Sequence, residues 1–345
     1  MTNTLNTDVL IIGAGAAGLT AALAAHDSGA KVTIIEKGAR LGGTAAISGG
    51  IVWVPDNPQM KAKGIPDNRE DALSYFRSLD HGEMNSDTLE AFVDEGSNAL
   101  EFLNEQGALE LHILDGYPDY YLDRPGAKAD GGRALDNALF DFSTLGDWAD
   151  KIYNGGDIVR MMLLETPLGG GTGVIEPEEM QRRIDGDLRG WGQALIGRLL
   201  KACLDRDIEL LLETSAKELI NEEGRIRGVT VTKDGVDQTI NAQRGVILAT
   251  GGFEWDEAND GLNTIANAPK QNRDDYVFNA NSSHWLTNLD QPLNGFSIMY
   301  GPEGTERSAR TRYNAQMISD LSGQGDLSVI HNSRIIFDSL HIFAP

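Results

Sequence analysis

The sequence predicts an α/β fold with a small antiparallel meander, and three patterns support this prediction. A short apolar run, Asp8 to Ile12, leads into the glycine turn Gly13–Gly18 and then into a segment rich in alanine and leucine. A second apolar run, Lys31 to Ile35, ends in Glu36. Strand, glycine turn, helix and strand in this order form the βαβ unit of a Rossmann-like domain. Short β-prone runs with glycine-containing turns between residues 208 and 242 predict the meander.

The composition fits a globular chain and excludes several classes of function. The chain has 345 residues, enough for about two domains, with 41% hydrophobic and 23% charged residues. A net charge of -23 disfavours nucleic acid and anionic membrane surfaces as partners. No apolar run approaches the ~20 residues of a membrane span and the first residues show no secretion signal, so we expect a cytoplasmic protein. The single cysteine, Cys203, excludes a disulfide scaffold and a multi-cysteine metal site.

Each residue of the glycine turn has a predicted task in binding a dinucleotide. Gly13 allows the tight turn, Gly15 lets the backbone approach a pyrophosphate, and Gly18 allows close packing of helix on strand. Ala16 and Ala17 begin the helix, whose N-terminal N–H groups would face the phosphates. A glycine turn alone is weak support, but its flanking strands, its helix and the downstream acid favour a dinucleotide site.

The acid that ends the second strand indicates which dinucleotides fit. Glu36 follows the last glycine of the turn by 18 residues and is placed to accept hydrogen bonds from the adenosine ribose hydroxyls. Its charge would repel a 2′-phosphate, so NADP is disfavoured, whereas FAD and NAD both remain compatible. The adjacent Lys37 is also a candidate cofactor-binding residue.

A second glycine-rich segment favours FAD over NAD. Between Glu36 and Pro55, two glycine pairs bracket small and hydroxyl residues, which leaves bare backbone for an extended diphosphate, ribityl chain and ring system. A mobile loop is the alternative, but the apolar Leu41 and Ile47 argue against it. The candidate cofactor-binding residues of this segment are Gly42, Gly43, Thr44, Ser48, Gly49 and Gly50.

The segment Gly42–Gly50, the run Val52–Pro55 followed by Asn57, and later motifs resemble a known family. They are similar to the FAD-dependent oxidoreductases of the fumarate reductase/succinate dehydrogenase flavoprotein family, in its 3-ketosteroid Δ1-dehydrogenase-like branch. The resemblance implies a Rossmann-like FAD-binding domain of the glutathione reductase (GR2) type. Members that attach flavin covalently carry a histidine after the double glycine, where this chain has Thr44–Ala46, so we expect non-covalent FAD.

The resemblance also implies that an α+β substrate region is inserted into the FAD-binding domain. The predicted division is 1–57 for the first part of the FAD-binding domain, 58–188 for the insertion, 189–256 for the second part and 257–345 for a tail of uncertain fold. Within the insertion, helical spacing predicts one helix that begins at the N-cap Asn68. A longer helix is predicted to be capped by Ser86 and to end at Gly107.

The stretch from Leu114 to Trp148 is rich in tyrosine, proline and glycine. It predicts a rigid loop rather than a buried element, with half-buried packing as the alternative. In the branch that the chain resembles, a tyrosine of this loop belongs to the active site, which points to Tyr120, with Tyr121 as the fallback.

Desaturating a C–C bond beside a ketone transfers a hydride to flavin N5 and removes a proton from the carbon next to the carbonyl. A phenol, whose usual pKa is about 10, takes that proton only when a neighbouring hydroxyl or positive charge lowers its pKa.

After the insertion, helix and strand patterns return. Gly190 begins a helix in which Cys203 is predicted to be a small core residue. A buried strand around Val246 to Ala249 is predicted to follow the meander. The predicted strands of the meander are 208–212, 216–220, 225–232 and 238–242.

The resemblance assigns the last cofactor contacts to this returning part. It implies that Ala216 places its backbone near the adenine. It also implies that Thr250, Gly251 and Gly252 bring the chain back to the diphosphate.

The predicted function is that of an FAD-dependent dehydrogenase acting on a CH–CH bond next to a carbonyl. The expected partners are a small, ketosteroid-like substrate and an electron acceptor of unknown identity. A fumarate- or dicarboxylate-type reductase is one alternative, although such sites need arginines that clamp two carboxylates. The other alternative is an incomplete flavin-binding remnant without turnover, because family members normally have a longer chain. The tail tyrosines, Tyr276, Tyr300 and Tyr313, receive no role.

Overall fold

The computed structural model describes residues 4–80, 82, 84–156, 158–252, 292–294 and 304. Most of the predicted tail, 257–345, lies outside the described residues, together with the end of the second FAD-binding part, 253–256. The strands are β1 (Thr4–Ile12), β2 (Val32–Ile35), β3 (Val52–Trp53), β4 (Leu111–Asp115), β5 (Gly131–Asn137), β6 (Phe140–Asp141), β7 (Leu188–Arg189), β8 (Glu209–Leu211), β9 (Thr214–Glu222), β10 (Arg225–Lys233) and β11 (Val236–Leu248). The α-helices are α1 (Ala16–Asp27), α2 (Gly43–Ile47), α3 (Pro58–Lys63), α4 (Arg69–Leu79), α5 (Ser86–Glu105), α6 (Pro177–Asp185) and α7 (Trp191–Leu204).

A six-stranded mixed sheet in the order β8-β2-β1-β11-β10-β9 confirms the α/β fold and the meander. Strands β8, β2, β1 and β11 pair in parallel, whereas β11, β10 and β9 pair antiparallel. The prediction that the run 208–212 belongs to the meander is wrong, because β8 pairs in parallel with β2. The long crossover that these parallel strands require runs from residue 36 to residue 208 and ends in helix α7, directly before β8.

Strand β11 joins two strands that the sequence predicted separately. Its first half pairs with β10 as far as Asn241, and its whole course from Thr239 pairs with β1. The predicted strand around Val246 is present as the end of β11. Its predicted burial is wrong among the described residues, because Leu248 is 62% exposed and Ile247 is 37% exposed. Beyond Asn241, β10 no longer lies alongside, so β1 is the strand that flanks this end of β11.

Helices α1 and α7 lie together in the main hydrophobic core. Leu19 and Leu23 of α1 and Ile196 and Leu200 of α7 are fully buried in that core. Cys203 is buried there too, and its Sγ lies 3.7 Å from the carbonyl oxygen of Leu19, which confirms its predicted core position. Within the described part of the chain, no helix combines the length and apolar character needed to cross a membrane.

A second sheet in the order β3-β5-β4 packs with helices α3 to α5. Strands β4 and β5 lie within the predicted insertion, 58–188, whereas β3 belongs to the predicted first FAD-binding part, 1–57. Residues 116–130 form a loop, as predicted, but the prediction of a loop over Leu114–Trp148 does not hold at its two ends. Leu114 lies in β4, and beyond residue 130 follow the strands Gly131–Asn137 and Phe140–Asp141 and a 3-10 helix, Phe142–Lys151. Gly131–Asn137, strand β5, is buried along its whole length. It pairs with β4 on one side and, at Ala134 and Leu135, with β3 on the other.

Two helix starts in the insertion show how the predicted caps compare with the structure. Asn68 caps α4 as predicted, because its side chain accepts the N–H of Asp71. The predicted cap Ser86 is wrong by one residue: Asn85 accepts the N–H of Thr88, and Ser86 is the first helical residue.

Candidate functional site

The glycine turn after β1 is packed tightly against the returning chain. Gly13 has φ +107°, and a Cβ built on it would lie 2.2 Å from the carbonyl oxygen of Ala249. A Cβ on Gly18 would lie 1.9 Å from the carbonyl oxygen of Gly13. Only glycine fits at these two positions, so protein packing alone accounts for them.

Gly15 has a different reason to be glycine. Its φ of -83° is ordinary, and the nearest atom to an added Cβ is the carbonyl oxygen of Gly42 at 3.8 Å, a normal contact distance. Gly15 caps α1, whose first turn has neither a side-chain cap nor an acidic residue. The described protein atoms therefore leave room above Gly15, in front of helix N–H groups that attract a phosphate.

Glu36, at the end of β2, ties the turn to the next segment. One carboxylate oxygen accepts the N–H of Ala14 at 3.0 Å, and the other accepts the N–H of Gly38 at 2.9 Å. Each oxygen keeps a further lone pair for a ligand hydroxyl. Lys37 is exposed next to this acid.

The second glycine segment runs directly beside the first. The N–H of Gly42 donates to the carbonyl of Ala14 at 3.0 Å, and Gly42 forms a bridge with Gly15. Gly42 has φ +104° and begins the short helix α2. The structure thus brings the two predicted glycine clusters into contact.

The rest of this segment divides into packed and open positions. A Cβ on Gly50 would lie 2.4 Å from the backbone of Trp191, so Gly50 is required by packing. Among the residues that the structure describes, no atom lies within 4 Å of an added Cβ on Gly43 or Gly49. Thr44 and Ser48 are exposed along the same stretch.

The last predicted cofactor residues approach the site from two directions. Ala249 donates its N–H to the carbonyl of Ile12, the residue directly before the glycine turn. Thr250, Gly251 and Gly252 follow Ala249, and both glycines are exposed. The N–H of Thr214 donates to the carbonyl of Glu36 at 2.9 Å. The exposed Ala216 lies two residues farther along β9.

The tyrosine loop of residues 116–130 is held by a buried cation. Arg133 of β5 is 1% exposed and donates to Asp119 at 2.8 Å and to Asp67 through two nitrogens at 2.8 Å each. Burial opposes ionisation of Asp67, but the hydrogen bonds and charge of Arg133 bring its pKa below the usual value. Trp53 also donates its indole N–H to Asp119 at 2.9 Å.

The two predicted catalytic tyrosines differ in exposure and contacts. Tyr120 is 41% exposed, whereas Tyr121 is partly buried. The N–H of Tyr121 donates to the hydroxyl oxygen of Tyr75 at 3.3 Å. Burial raises the pKa of Tyr75 to about 12, so its hydroxyl stays neutral at physiological pH.

Sequence reasoning missed the residues that support this loop: Trp53, Asp67, Tyr75, Asp119 and Arg133. One signal was available, because an arginine stands between a glycine pair and the run Ala134–Leu135. A cation within a strand-like apolar context requires nearby carboxylates when it is buried.

The chain belongs to the FAD binding domain family, whose model matches residues 8–302. FAD is therefore the cofactor of this chain. The open backbone at Gly15 and Gly49 fits a long dinucleotide, since neither packing among the described residues nor a positive φ explains glycine there. At Gly43 the φ of +51° by itself favours glycine.

Relatives of known activity extend this comparison. The chain is 34% identical to 4-oxocyclohexanecarboxylate 2-dehydrogenase of Sinomonas cyclohexanicum over 73% of this chain and 44% of the relative. It is 31% identical to 3-oxosteroid 1-dehydrogenase of Mycolicibacterium smegmatis over 72% of this chain and 47% of the relative. The chain also aligns with a crystal structure of 3-ketosteroid delta1-dehydrogenase from Sterolibacterium denitrificans, solved in complex with 1,4-androstadiene-3,17-dione. The TM-score is 0.66 and the sequence identity is 32%, and the alignment covers 75% of this chain and 50% of that one. The chain spans about half the length of the relatives it matches.

Proposed function

We propose that this protein is an FAD-dependent dehydrogenase that acts on the CH–CH bond beside a ring ketone, with a ketosteroid-like substrate. The names of the similar proteins support this class, because each describes a dehydrogenase of a ring that carries an oxo group. In both names the dehydrogenated position lies two carbons from the oxo carbon. That position is where hydride loss gives a double bond conjugated with the ketone.

One structural relationship carries the proposal. Trp53 follows Gly50 by three residues, and its indole N–H donates to Asp119, the residue before Tyr120. A single hydrogen bond therefore connects the end of the glycine-rich segment to the tyrosine loop. This arrangement supports a site in which a phenol works close to the bound FAD.

The proposed reaction breaks two C–H bonds and forms one C=C bond. Bound FAD supplies the acceptor for the hydride that leaves the carbon two positions from the carbonyl. The hydroxyl oxygen of Tyr120 takes the proton from the carbon next to the carbonyl as its own proton passes to solvent. Because Tyr120 is partly exposed, water can receive that proton. The open backbone of the glycine segments holds FAD, and a separate electron acceptor reoxidises it.

Anaerobic reduction of the flavin tests this proposal. The protein loaded with FAD is mixed with a 3-oxosteroid or with 4-oxocyclohexanecarboxylate. In a separate experiment in the reverse direction, the bound flavin is first reduced chemically and then mixed with fumarate. We expect bleaching near 450 nm with a ring ketone, as flavins generally show, and no reoxidation by fumarate. Failure of every ring ketone to bleach a yellow protein would reject the dehydrogenase, and reoxidation by fumarate alone would favour the dicarboxylate alternative.

A pair of tyrosine variants then tests the assigned phenol. Tyr120→Phe should slow flavin reduction by about 10²- to 10⁴-fold, the range for loss of one acid–base group. Tyr121→Phe should change the rate little. The opposite order of effects would transfer the role to Tyr121, and an unchanged rate in both variants would remove the loop from the chemistry.

A further inference from the structure

The backbone on the N-terminal side of Tyr120 is fixed through the side chain of Asp119. Its carboxylate accepts three hydrogen bonds: from Trp53 at 2.9 Å, from Arg133 at 2.8 Å and from the N–H of Lys128 at 2.9 Å. The N–H of Asp119 also donates to the carbonyl of Lys128 at 3.0 Å. The two ends of the segment 119–128 are thus closed on each other and on the buried Arg133.

The backbone on the C-terminal side is fixed by a second contact. The N–H of Tyr121 donates to the hydroxyl oxygen of Tyr75. The ring of Tyr75 is buried on α4 and stacks on Trp53 with ring centroids 6.3 Å apart. Arg133 lies 5.4 Å above the Trp53 ring and 5.9 Å above the Tyr75 ring, so both contacts rest on the same buried group.

We propose that Tyr75 and Asp119, supported by Arg133, are positioning residues that clamp the backbone on both sides of Tyr120. The clamp leaves the Tyr120 side chain exposed while it fixes the residues before and after it. Its catalytic consequence rests on the proposed function of Tyr120, because a fixed backbone reduces the number of orientations from which the phenol meets substrate.

The charges of the clamp explain why it can be buried. Arg133 carries one positive charge between the carboxylates of Asp67 and Asp119, whose side chains are 0% and 2% exposed. Lys128 lies 3.5 Å from Asp67 and supplies the second positive charge. Lys128 also lies 3.5 Å from Asp71, whose side chain is 44% exposed, so the cluster holds two cations and three carboxylates. The two buried carboxylates, those of Asp67 and Asp119, each face a cation, which avoids an uncompensated buried charge.

Hydrogen exchange tests the clamp without any substrate. Tyr75→Phe removes only the hydroxyl that accepts the Tyr121 N–H and keeps the buried ring, so the fold should persist. We expect exchange of the Tyr121 amide to accelerate about two- to tenfold, as for loss of one hydrogen bond. Asp119→Asn should accelerate exchange over residues 119–128. Thr232→Val, which removes one hydroxyl hydrogen bond in the distant meander, is the matched control and should leave this segment unchanged.

Flavin reduction tests whether the clamp acts through Tyr120. Tyr75→Phe should lower the limiting reduction rate about three- to tenfold with little change in the substrate concentration at half-saturation, since the reacting phenol rather than the binding surface is disturbed. In the Tyr120→Phe background, Tyr75→Phe should have no further effect. A double-mutant cycle measures this coupling.

The outcomes separate the clamp from the proposed function. An unchanged Tyr121 exchange rate in Tyr75→Phe would overturn the clamp, whatever the activity. Faster exchange with equal rate losses in both Tyr120 backgrounds would overturn its action through Tyr120. If no ring ketone reduces the flavin, the proposed function fails and the exchange result alone decides whether the loop is clamped.

Discussion

Glu36 accepts the backbone N–H of Ala14 at 3.0 Å, and this bond holds the glycine turn against the end of β2. Ala14 is fully buried, so in the folded structure its N–H group depends on the carboxylate as its partner. An unpaired buried donor costs about 1–3 kcal/mol. Glu36 therefore shapes the turn in addition to the ribose contact that the sequence predicts for it.

The first prediction concerns this double task. Glu36→Ala should lower the free energy of unfolding by about 1–3 kcal/mol, because the N–H groups of Ala14 and Gly38 both lose their acceptor. It should also weaken FAD binding at least about tenfold. Chemical denaturation of the FAD-free protein and titration with FAD measure the two effects separately. The control is Glu218→Ala, at an exposed position of β9, which should change neither the free energy of unfolding nor the affinity for FAD. An unchanged free energy of unfolding in Glu36→Ala would contradict the structural task.

The second prediction separates a ligand glycine from a packing glycine. Gly15→Ala should fold with nearly unchanged stability, since its φ is ordinary and its nearest neighbour is 3.8 Å from an added Cβ. FAD affinity should fall at least about tenfold, or about 1.4 kcal/mol, because the methyl group would occupy the approach to the diphosphate. Gly245→Ala, which adds a methyl into open space on β11, is the matched control. Normal FAD binding by Gly15→Ala would remove Gly15 from the cofactor site.

Some parts of the fold and of the candidate site follow from the sequence alone. The glycine turn and the Asn68 cap were predicted correctly because they depend on residues a few positions apart. Asn68, for example, accepts the N–H of Asp71, three residues farther along. Such local geometry has recognisable sequence signals.

The parts that were missed depend on distant residues. The single strand β11 exists because Val9 pairs with Gly245, a contact that no local pattern encodes. The burial of Arg133 depends on Asp67, which lies 66 residues away, and on Asp119, which lies 14 residues away. The sequence around Arg133 can indicate that a buried cation needs carboxylates, but it does not show which distant residues supply them.

The third prediction concerns Cys203. Burial raises the pKa of its thiol to about 12, so the reactive thiolate is scarce and reagents cannot reach it. A thiol reagent should therefore label the native protein at least about 100-fold more slowly than the protein in denaturant. The Cys203→Ser variant provides the background rate. Rapid labelling of one thiol per native chain would contradict the core position.

The fourth prediction concerns Asp136 on β5, which is fully buried. Its Oδ2 accepts the N–H of Leu164 at 2.8 Å, whereas Oδ1 has no hydrogen-bond partner among the described residues. Burial, opposed by backbone hydrogen bonds, raises the pKa of this carboxyl above the usual 3.8. The contribution of such an acid to stability is complete below about pH 3.8 and is lost as pH rises through the raised pKa.

Asp136→Asn removes the charge and keeps an oxygen for the Leu164 N–H. We expect the variant to unfold at higher denaturant concentration than the parent protein at pH 7 to 8, because the parent must bury an ionised carboxylate or take up a proton. The advantage should shrink as pH falls through the raised pKa of the parent carboxyl, below which this carboxyl is protonated in the folded state. Denaturation at several pH values measures this difference, with the exposed Asp130→Asn as control. A constant difference between Asp136→Asn and the parent across this range would contradict the raised pKa.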